Sequence, residues 1–526
     1  MRSSLLLVIV LIQACAAQES GPSKSLTFIH MNDTYRVDAV EEGRSGGFGR
    51  VATIVRELKA EGRDVRILHG GDFLYPSLES QLWDGEQMVE AMNYLDDLAP
   101  MYAVPGNHEF DPGDPSDVAE RIRESRFDWL ADNLSLAIAA DVDERLHKAF
   151  TFEAGGRKVG ILSLTLFPED GGNDRAYTPF SNGSYLENAE RVIRELESQG
   201  VDLIVGLTHL HIGDDLEIAK LKARHPKFMF IVGGHEHEPE YHQASDGVAL
   251  VAKGASNART VWRIDVDFTD GGPKISETLI RVDESIVADP AYQPIADKWR
   301  GQLLTMMPFL PSRLADAAVP LDGRETAVRN ADSNWGTFIA DQMRTAFPGI
   351  PADLALVNGG TLRIDDFIAE DITWEDIART FGFSSHLRHL EMQGKDFRHM
   401  LEAGYRGRGP SKGYFPQISG FRVCVDRRRS EGQRIVELQV PADDGWAEID
   451  GDKVYTVVAP DYLVRGGDGY DFSQALHISP AGSELKYLVL DAVMQIQAEG
   501  GKVGSATDPD SLRFNTLPDG RARCFD

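Results

Sequence analysis

The segment Pro105-Gly106-Asn107-His108-Glu109-Phe110-Asp111 decides how the rest of the chain is read. It sets an amide oxygen, an imidazole and two carboxylates directly after a Pro-Gly turn. That turn ends the apolar run Tyr102-Ala103-Val104, which has the character of a buried strand. Asn107 ligates a divalent metal only in company, because an amide oxygen needs carboxylates and imidazoles from elsewhere in the chain.

Outward from this segment the same layout recurs. The β-type runs Leu26 to His30, Val65 to Leu68, Val201 to Leu207 and Phe228 to Val232 stop, in turn, at four polar stretches. These are Asn32-Asp33-Thr34-Tyr35, Gly70-Gly71-Asp72, Thr208-His209 and Gly233-Gly234-His235-Glu236-His237. Helical spacing fills the intervals, over 46–59 (Val51, Ile54, Val55, Leu58), 86–98, 116–133 and 184–199. The alternation predicts an α/β fold. In such folds ligands gather beyond the carboxyl ends of strands, so the stops are expected to converge on one site.

The convergent set would be Asp33, Asp72, Asn107, His209, His235 and His237. Two hard ions held close together need a bridging carboxylate, further oxygen donors and several imidazoles, and this set holds each kind, with Asp72 the expected bridge. Taken singly, each residue has a plainer reading: an Asp after Gly-Gly is an ordinary turn former, and a His after a strand is usually a loop residue. The ordered set carries the argument. Alternation along an extended Gly-His-X-His would project His235 and His237 to one side, each toward a different metal. His211 is read as structural.

In order, these blocks resemble those of the calcineurin-like metallophosphoesterases, and Phe110-Asp111 after Asn-His-Glu narrows the resemblance to the secreted 5′-nucleotidase branch. It covers about residues 26–270 of the metal domain. It implies a layered α-β-β-α metallophosphoesterase domain over 24–285, a helical linker over 286–320 and a second α/β substrate-binding domain over 321–526. It also implies two divalent ions (Zn, Mn, Co or Fe) and a catalytic pair, His108 and Asp111. Water acidified by the ions would attack phosphorus in line, while His108 stabilises phosphoryl charge or protonates the leaving oxygen.

One block departs from the family pattern. Asp33-Thr34-Tyr35 stands where Asp-X-His is usual, so either Tyr35 is a phenolate ligand or the first metal is one ligand short. Tyr75, three residues after Asp72, matches the Asp-X-X-Tyr of purple acid phosphatases; the alternative is that either tyrosine packs beside the site.

In the second domain, Arg329 to Gly336, Asn358-Gly-Gly-Thr-Leu-Arg363, Phe381 to Ser385 and Asp461 to Tyr470 combine tight turns with arginines and aromatic residues. By the same resemblance Arg329, Asn358 and Arg363 would contact phosphate or ribose. Phe383 and Tyr462 would sandwich the base, and Asp468 would hold ribose hydroxyls. Tyr462 stands where phenylalanine is common.

Composition sets the outer limits. The 526 residues exceed what one core usually serves, and a 42% hydrophobic fraction is ordinary for a globular chain. A net charge of −29 argues against binding nucleic-acid polymers or anionic membranes, while a metal site and a few arginines can still reverse the field locally for a nucleotide. Residues 1–17, basic and then apolar and then small, read as a signal peptide, with Cys15 in a lipoprotein-like box. An exported protein, periplasmic or secreted, is expected. Cys424 and Cys524 are then expected as one disulfide, with two separate thiols as the alternative. Oligomeric state is not legible.

The function expected is hydrolysis of nucleoside 5′-monophosphates. Nucleotide-sugar or di- and triphosphate hydrolysis and 2′,3′-cyclic phosphodiesterase with 3′-nucleotidase activity are alternatives on the same scaffold. A nucleotide-binding protein with a decayed metal centre is the alternative of another class.

Overall fold

The computed structural model describes residues 25–111, 115–136, 140–166, 177–179, 183–269, 271–407, 412–505 and 512–525. The signal-like segment and Cys15 lie outside the described residues. No helix among the described residues is long and apolar enough to cross a membrane.

The first domain is two sheets packed face to face. β1 (Ser25–Met31), β2 (Asp64–His69) and β3 (Met101–Ala103) run parallel in the middle of one, which has seven strands. β4 (Arg157–Thr165), β5 (Leu203–His209) and β6 (Phe228–Gly233) run parallel in the other, which has six. These strands are apolar on both faces because both faces are covered. Leu26 and Phe28 of β1 meet Leu203, Val205, Phe230 and Val232 between the sheets. Ile29 and Met31 point the other way, against Val51, Val55 and Leu58 of α1 (Phe48–Ala60) and Met88, Met92 and Leu95 of α2 (Glu86–Leu98). On the far side Ile204 and Ile231 pack with Val192, Ile193 and Leu196 of α3 (Tyr185–Ser198). The result is the expected α-β-β-α layering.

Local signals set most element ends. α3 starts at a capping box, the Ser184 hydroxyl accepting from the Glu187 amide at 3.3 Å while the Glu187 carboxylate accepts from the Ser184 amide at 2.8 Å. The helix expected over 116–133 is shorter than its reading: it spans Pro115–Glu124, and Asp128–Leu130 is a strand beside β3. There Phe127 and Trp129 alternate into the core with the period of a strand, and the longer amphipathic reading had run across that change.

Between the domains, α4 (Gln293–Met306) is the helical part of the 286–320 segment. Its Ala296 and Trp299 join the core of the first domain, whereas Leu303 packs with Leu78 and with Ala378 of the second. Its Arg300 forks onto Glu375 of the second domain at 2.5 and 2.7 Å.

The second domain centres on a five-stranded sheet with β7 (Leu354–Asn358) beside β8 (Val454–Pro460). Ala355 and Val357 face a helical layer that includes Trp335, Ile339 and Val489, and Leu354 and Leu356 face a second core with Phe397, Phe421 and Val423. Cys424 and Cys524 are joined as a disulfide with Cα atoms 5.7 Å apart, closing a span of 100 residues.

Candidate metal centre and interdomain cleft

The strand ends meet at one point. Asp33 lies two residues past β1, Asp72 three past β2, Asn107 four past β3, His209 ends β5, and His235 lies two past β6. Three of these residues hold left-handed backbone, Asp33 at φ 52°, Asp72 at φ 56° and His235 at φ 83°. Such conformations cost about 1–3 kcal/mol each and persist where the surroundings over-determine them. Here they do: the Asp33 amide donates to Gly71 O at 2.9 Å, and the His235 amide donates to Asp33 Oδ2 at 2.9 Å. The Asp72 turn is stapled by Glu109, whose carboxylate accepts from the amides of Asp72, Phe73 and Leu74 at 2.7–2.9 Å and from that of Gly106.

The donors fall into two groups, one about Asp72 and one about Asp33. In one, His209 Nδ1 donates to Gly70 O at 2.6 Å, so once a cation displaces the second ring proton the lone pair lies on Nε2, which faces Asp72 Oδ2 and Asn107 Oδ1 at 3.2 Å each. The His235 ring stands edge-on to His209, with centroids 5.5 Å apart, and against His211 at 4.5 Å. In the other group, His237 Nδ1 donates to Glu325 at 2.8 and 2.9 Å, and its Nε2 faces Asp33 Oδ1 at 3.4 Å and the Tyr35 hydroxyl at 3.1 Å. His235 and His237 thus reach different groups, but not through strand alternation. The left-handed kink at His235 turns the chain between them, a correction to the extended reading of Gly-His-X-His.

Electrostatics favour a cation here. Burial alone would suppress charge on His209, yet Asp72 outweighs it and pushes the imidazole up to about 9. Burial would lift Asp72, but His209 and His108 hold it below the usual carboxylate range. Burial raises Asp33, and burial with the nearby Asp72 and Asp33 carboxylates lifts the Tyr35 phenol far above its ordinary range. Burial also keeps His235 and His237 neutral. Acceptor atoms that converge while buried, with the ring protons spent on Gly70 and Glu325, are a donor set that divalent ions fit. Asp33, Asp72 and His209 alone bring ligand atoms within 4.8 Å of one another.

Beside this cluster His108 Nδ1 donates to Asp111 at 2.6 Å. Burial opposes charge on His108, but Asp111 and Asp72 prevail and raise its pKa. Arg363 of the second domain approaches His108 Nε2 at 3.4 Å and lies over the rings of Tyr35 and Phe383 at 5.5 and 5.1 Å. A cleft of about 400 Å³ opens alongside, lined by Tyr75, Gln81, Asp111, Phe383 and Lys486 among others.

The other sequence-derived residues are distributed unevenly. Arg329 is buried and donates to Glu325 at 2.7 Å. Asn358 donates to Asp468 at 2.7 Å, and Tyr462 donates to the same carboxylate at 3.2 Å, so Asn358, Tyr462 and Asp468 form one cluster. Phe383 instead lies against His108, with ring centroids 5.6 Å apart. Tyr75 commits its hydroxyl to Asp84 at 2.7 Å.

Glu325 and Lys253 are among the residues that escaped the sequence reading. Glu325 comes from the second domain, and its only local signal is the four-residue spacing to Arg329. Lys253 is fully buried and binds Glu236 at 2.5 Å, Asp215 at 2.8 Å and the carbonyls of Leu210 and Gly234 at 2.6 and 2.9 Å. It thereby holds the His235 to His237 loop from beneath.

Comparison with known proteins agrees with this architecture. Residues 26–239 match the calcineurin-like phosphoesterase model, and residues 313–475 match the 5′-nucleotidase C-terminal domain. The chain belongs to the 5′-nucleotidase family. This 5′-nucleotidase family member is 26% identical over 499 residues to the 5′-nucleotidase of Bos taurus, covering 85% of this chain and 84% of that protein. It is also 26% identical over 522 residues to the trifunctional nucleotide phosphoesterase protein YfkN of Bacillus subtilis, covering 91% of this chain but only 34% of that longer protein. A solved structure of a 5′-nucleotidase precursor from Thermus thermophilus superposes with a TM-score of 0.77 over 94% of this chain and 100% of that one, at 24% identity. The chain is a metal-dependent phosphoester hydrolase by this kinship.

Proposed function

We propose that the chain hydrolyses nucleoside 5′-monophosphates to nucleoside and phosphate, with two divalent ions held by Asp33, Tyr35, Asp72, Asn107, His209, His235 and His237. The observation that carries this reading is the approach of Arg363 to His108 at 3.4 Å. A guanidinium from one domain and an imidazole from the other flank the same point beside the donor cluster, as a phosphomonoester spanning two domains requires. Bound divalent ions would supply Lewis acidity at the phosphoryl oxygens and acidify water.

The chain's own residues do the rest. Asp111 fixes the His108 tautomer and favours its protonated form, so His108 can give a proton to the leaving oxygen. Arg363 offsets charge on the phosphoryl group. Phe383 offers a flat face to a base, and Asn358, Asp468 and Tyr462 would open their mutual hydrogen bonds to ribose and base. Rotation of one domain against the other around α4 would admit substrate and release product. Export is part of the same reading, through the signal-like residues 1–17, with a lipid anchor at Cys15 as a variant.

The likeness to the trifunctional Bacillus subtilis phosphoesterase favours a wider phosphoester range as a second reading. The test is phosphate release by metal-stripped protein reloaded separately with manganese, zinc, cobalt or iron, offered AMP, UDP-glucose, ATP or 2′,3′-cyclic AMP. We expect AMP to be preferred, and His108→Ala to lose about 10²–10⁴-fold in rate at unchanged metal content. Preference for another member of the panel would favour the wider range. No release with any metal, while nucleotide still binds, would leave the decayed-centre binding protein.

A further inference from the structure

We propose that Glu325 is a positioning residue through which domain closure is built into the metal centre, so that the His237 half of the centre binds its ion tightly only when the domains are closed. The inference rests on the metal centre proposed above and not on the nucleotide assignment.

The two donor groups are oriented differently. His209 is held by Gly70 O, a backbone carbonyl of its own domain, at 2.6 Å. His237 is held by a carboxylate from the other domain, and both Glu325 oxygens lie within 2.9 Å of its Nδ1. The carboxylate fixes the tautomer that leaves Nε2 facing Asp33 and Tyr35, and it raises the basicity of the ring. Glu325 is 1% exposed and is itself braced, accepting from the Ser256 hydroxyl at 2.7 Å and from Arg329 at 2.7 Å.

The bracing runs on to the Tyr35 loop. The Glu325 amide donates to Asp365 at 3.1 Å, Asp365 accepts from Asn257 Nδ2 at 3.0 Å, and Asn257 Oδ1 accepts from the Tyr35 amide at 3.0 Å. Asn257 belongs to the first domain and Asp365 to the second. Opening the cleft would therefore withdraw the orienting group of His237 and loosen the Tyr35 loop, while His209 keeps its partner. Elsewhere the interface is closed by Arg379 on Glu79 at 2.7 Å and by Gln81 on Gly382 O at 2.7 Å, and neither touches the donor cluster.

The experiment is calorimetric titration of metal-stripped full-length protein with manganese, with stoichiometry checked by elemental analysis. The proteins compared are wild type, Glu325→Ala, Glu325→Gln and Arg379→Ala. In Glu325→Ala one of two equivalents should weaken by about 10–100-fold while the other stays within about twofold. Glu325→Gln, whose amide oxygen still accepts from Nδ1, should recover part of that loss. Arg379→Ala leaves Glu325 in place but weakens closure, so it should lower the same equivalent by a smaller factor.

Should Glu325→Ala fail to fold, the other two variants decide. Both equivalents falling together in Glu325→Gln, or neither falling in either Glu325 variant, would overturn the positioning role. An unchanged Arg379→Ala would overturn the link to closure. Wild type taking up no second equivalent would overturn the dinuclear centre itself.

Discussion

Gly106 shows how closely the centre is packed. A Cβ built on it would sit 2.1 Å from Asp72 Oδ1 and 2.7 Å from the His209 ring, so no side chain fits without moving the expected bridging carboxylate. We predict that Gly106→Ala folds but loses metal, which elemental analysis after dialysis would reveal; full retention of two equivalents would refute the bridging placement of Asp72. Sequence reading reached Asp33, Asp72, Asn107, His209, His235 and His237 because each follows a run whose burial pattern is legible locally. It also reached the contact between His108 and Asp111, three residues apart. Glu109 lay in the quoted segment and still went unassigned, because its four amide partners come together only through the fold. Tyr35 is the informative departure: its phenol faces His237 and Asp33, where a ligand or a hydrogen-bond donor would equally stand.

Among the elements, the loop after β6 depends on a lysine that no motif announces. Lys253 offsets two buried carboxylates, Asp215 and Glu236, beneath His235 and His237. Removing one partner of such a buried set leaves uncompensated charge, which typically costs about 3–5 kcal/mol. Lys253→Met should therefore lower unfolding stability by about 3–5 kcal/mol in urea titration, and a loss below about 1 kcal/mol would mean that the carboxylates find other partners. Here the sequence was silent for a physical reason. A lysine at the end of an apolar strand reads as solvated until the opposing acids are known, and those come from earlier in the chain, Asp215 from the helix Ile212–Ala219 and Glu236 from the loop after β6. Strands and helices were read more surely, since apolar periodicity is local, and the reading failed where Phe127 and Trp129 changed the period.

At the scale of the whole molecule, charged contacts join the two domains, Arg300 to Glu375 and Arg379 to Glu79, and these were the least legible feature of all. Glu375, on the second domain, receives Arg300 from α4 and Arg379 from its own helix. Burial would raise its pKa, but the two arginines outweigh that and hold it at about 2. The contribution to stability is thus full above the unfolded glutamate value near 4.5 and is lost as pH falls through about 2. Thermal midpoints of wild type and Glu375→Gln should differ at about pH 7, and the gap should narrow by about pH 3. A gap of equal size at both pH values would show that Glu375 is not held by those arginines.

The covalent link between Cys424 and Cys524 makes a ring of the chain between them, and Tyr462 and Asp468 lie inside that ring. A protease that nicks any exposed loop within it yields a protein that is cut but not divided. The two pieces travel as one band until a reductant is added, with Tyr462 and Asp468 still tethered to the rest of the second domain.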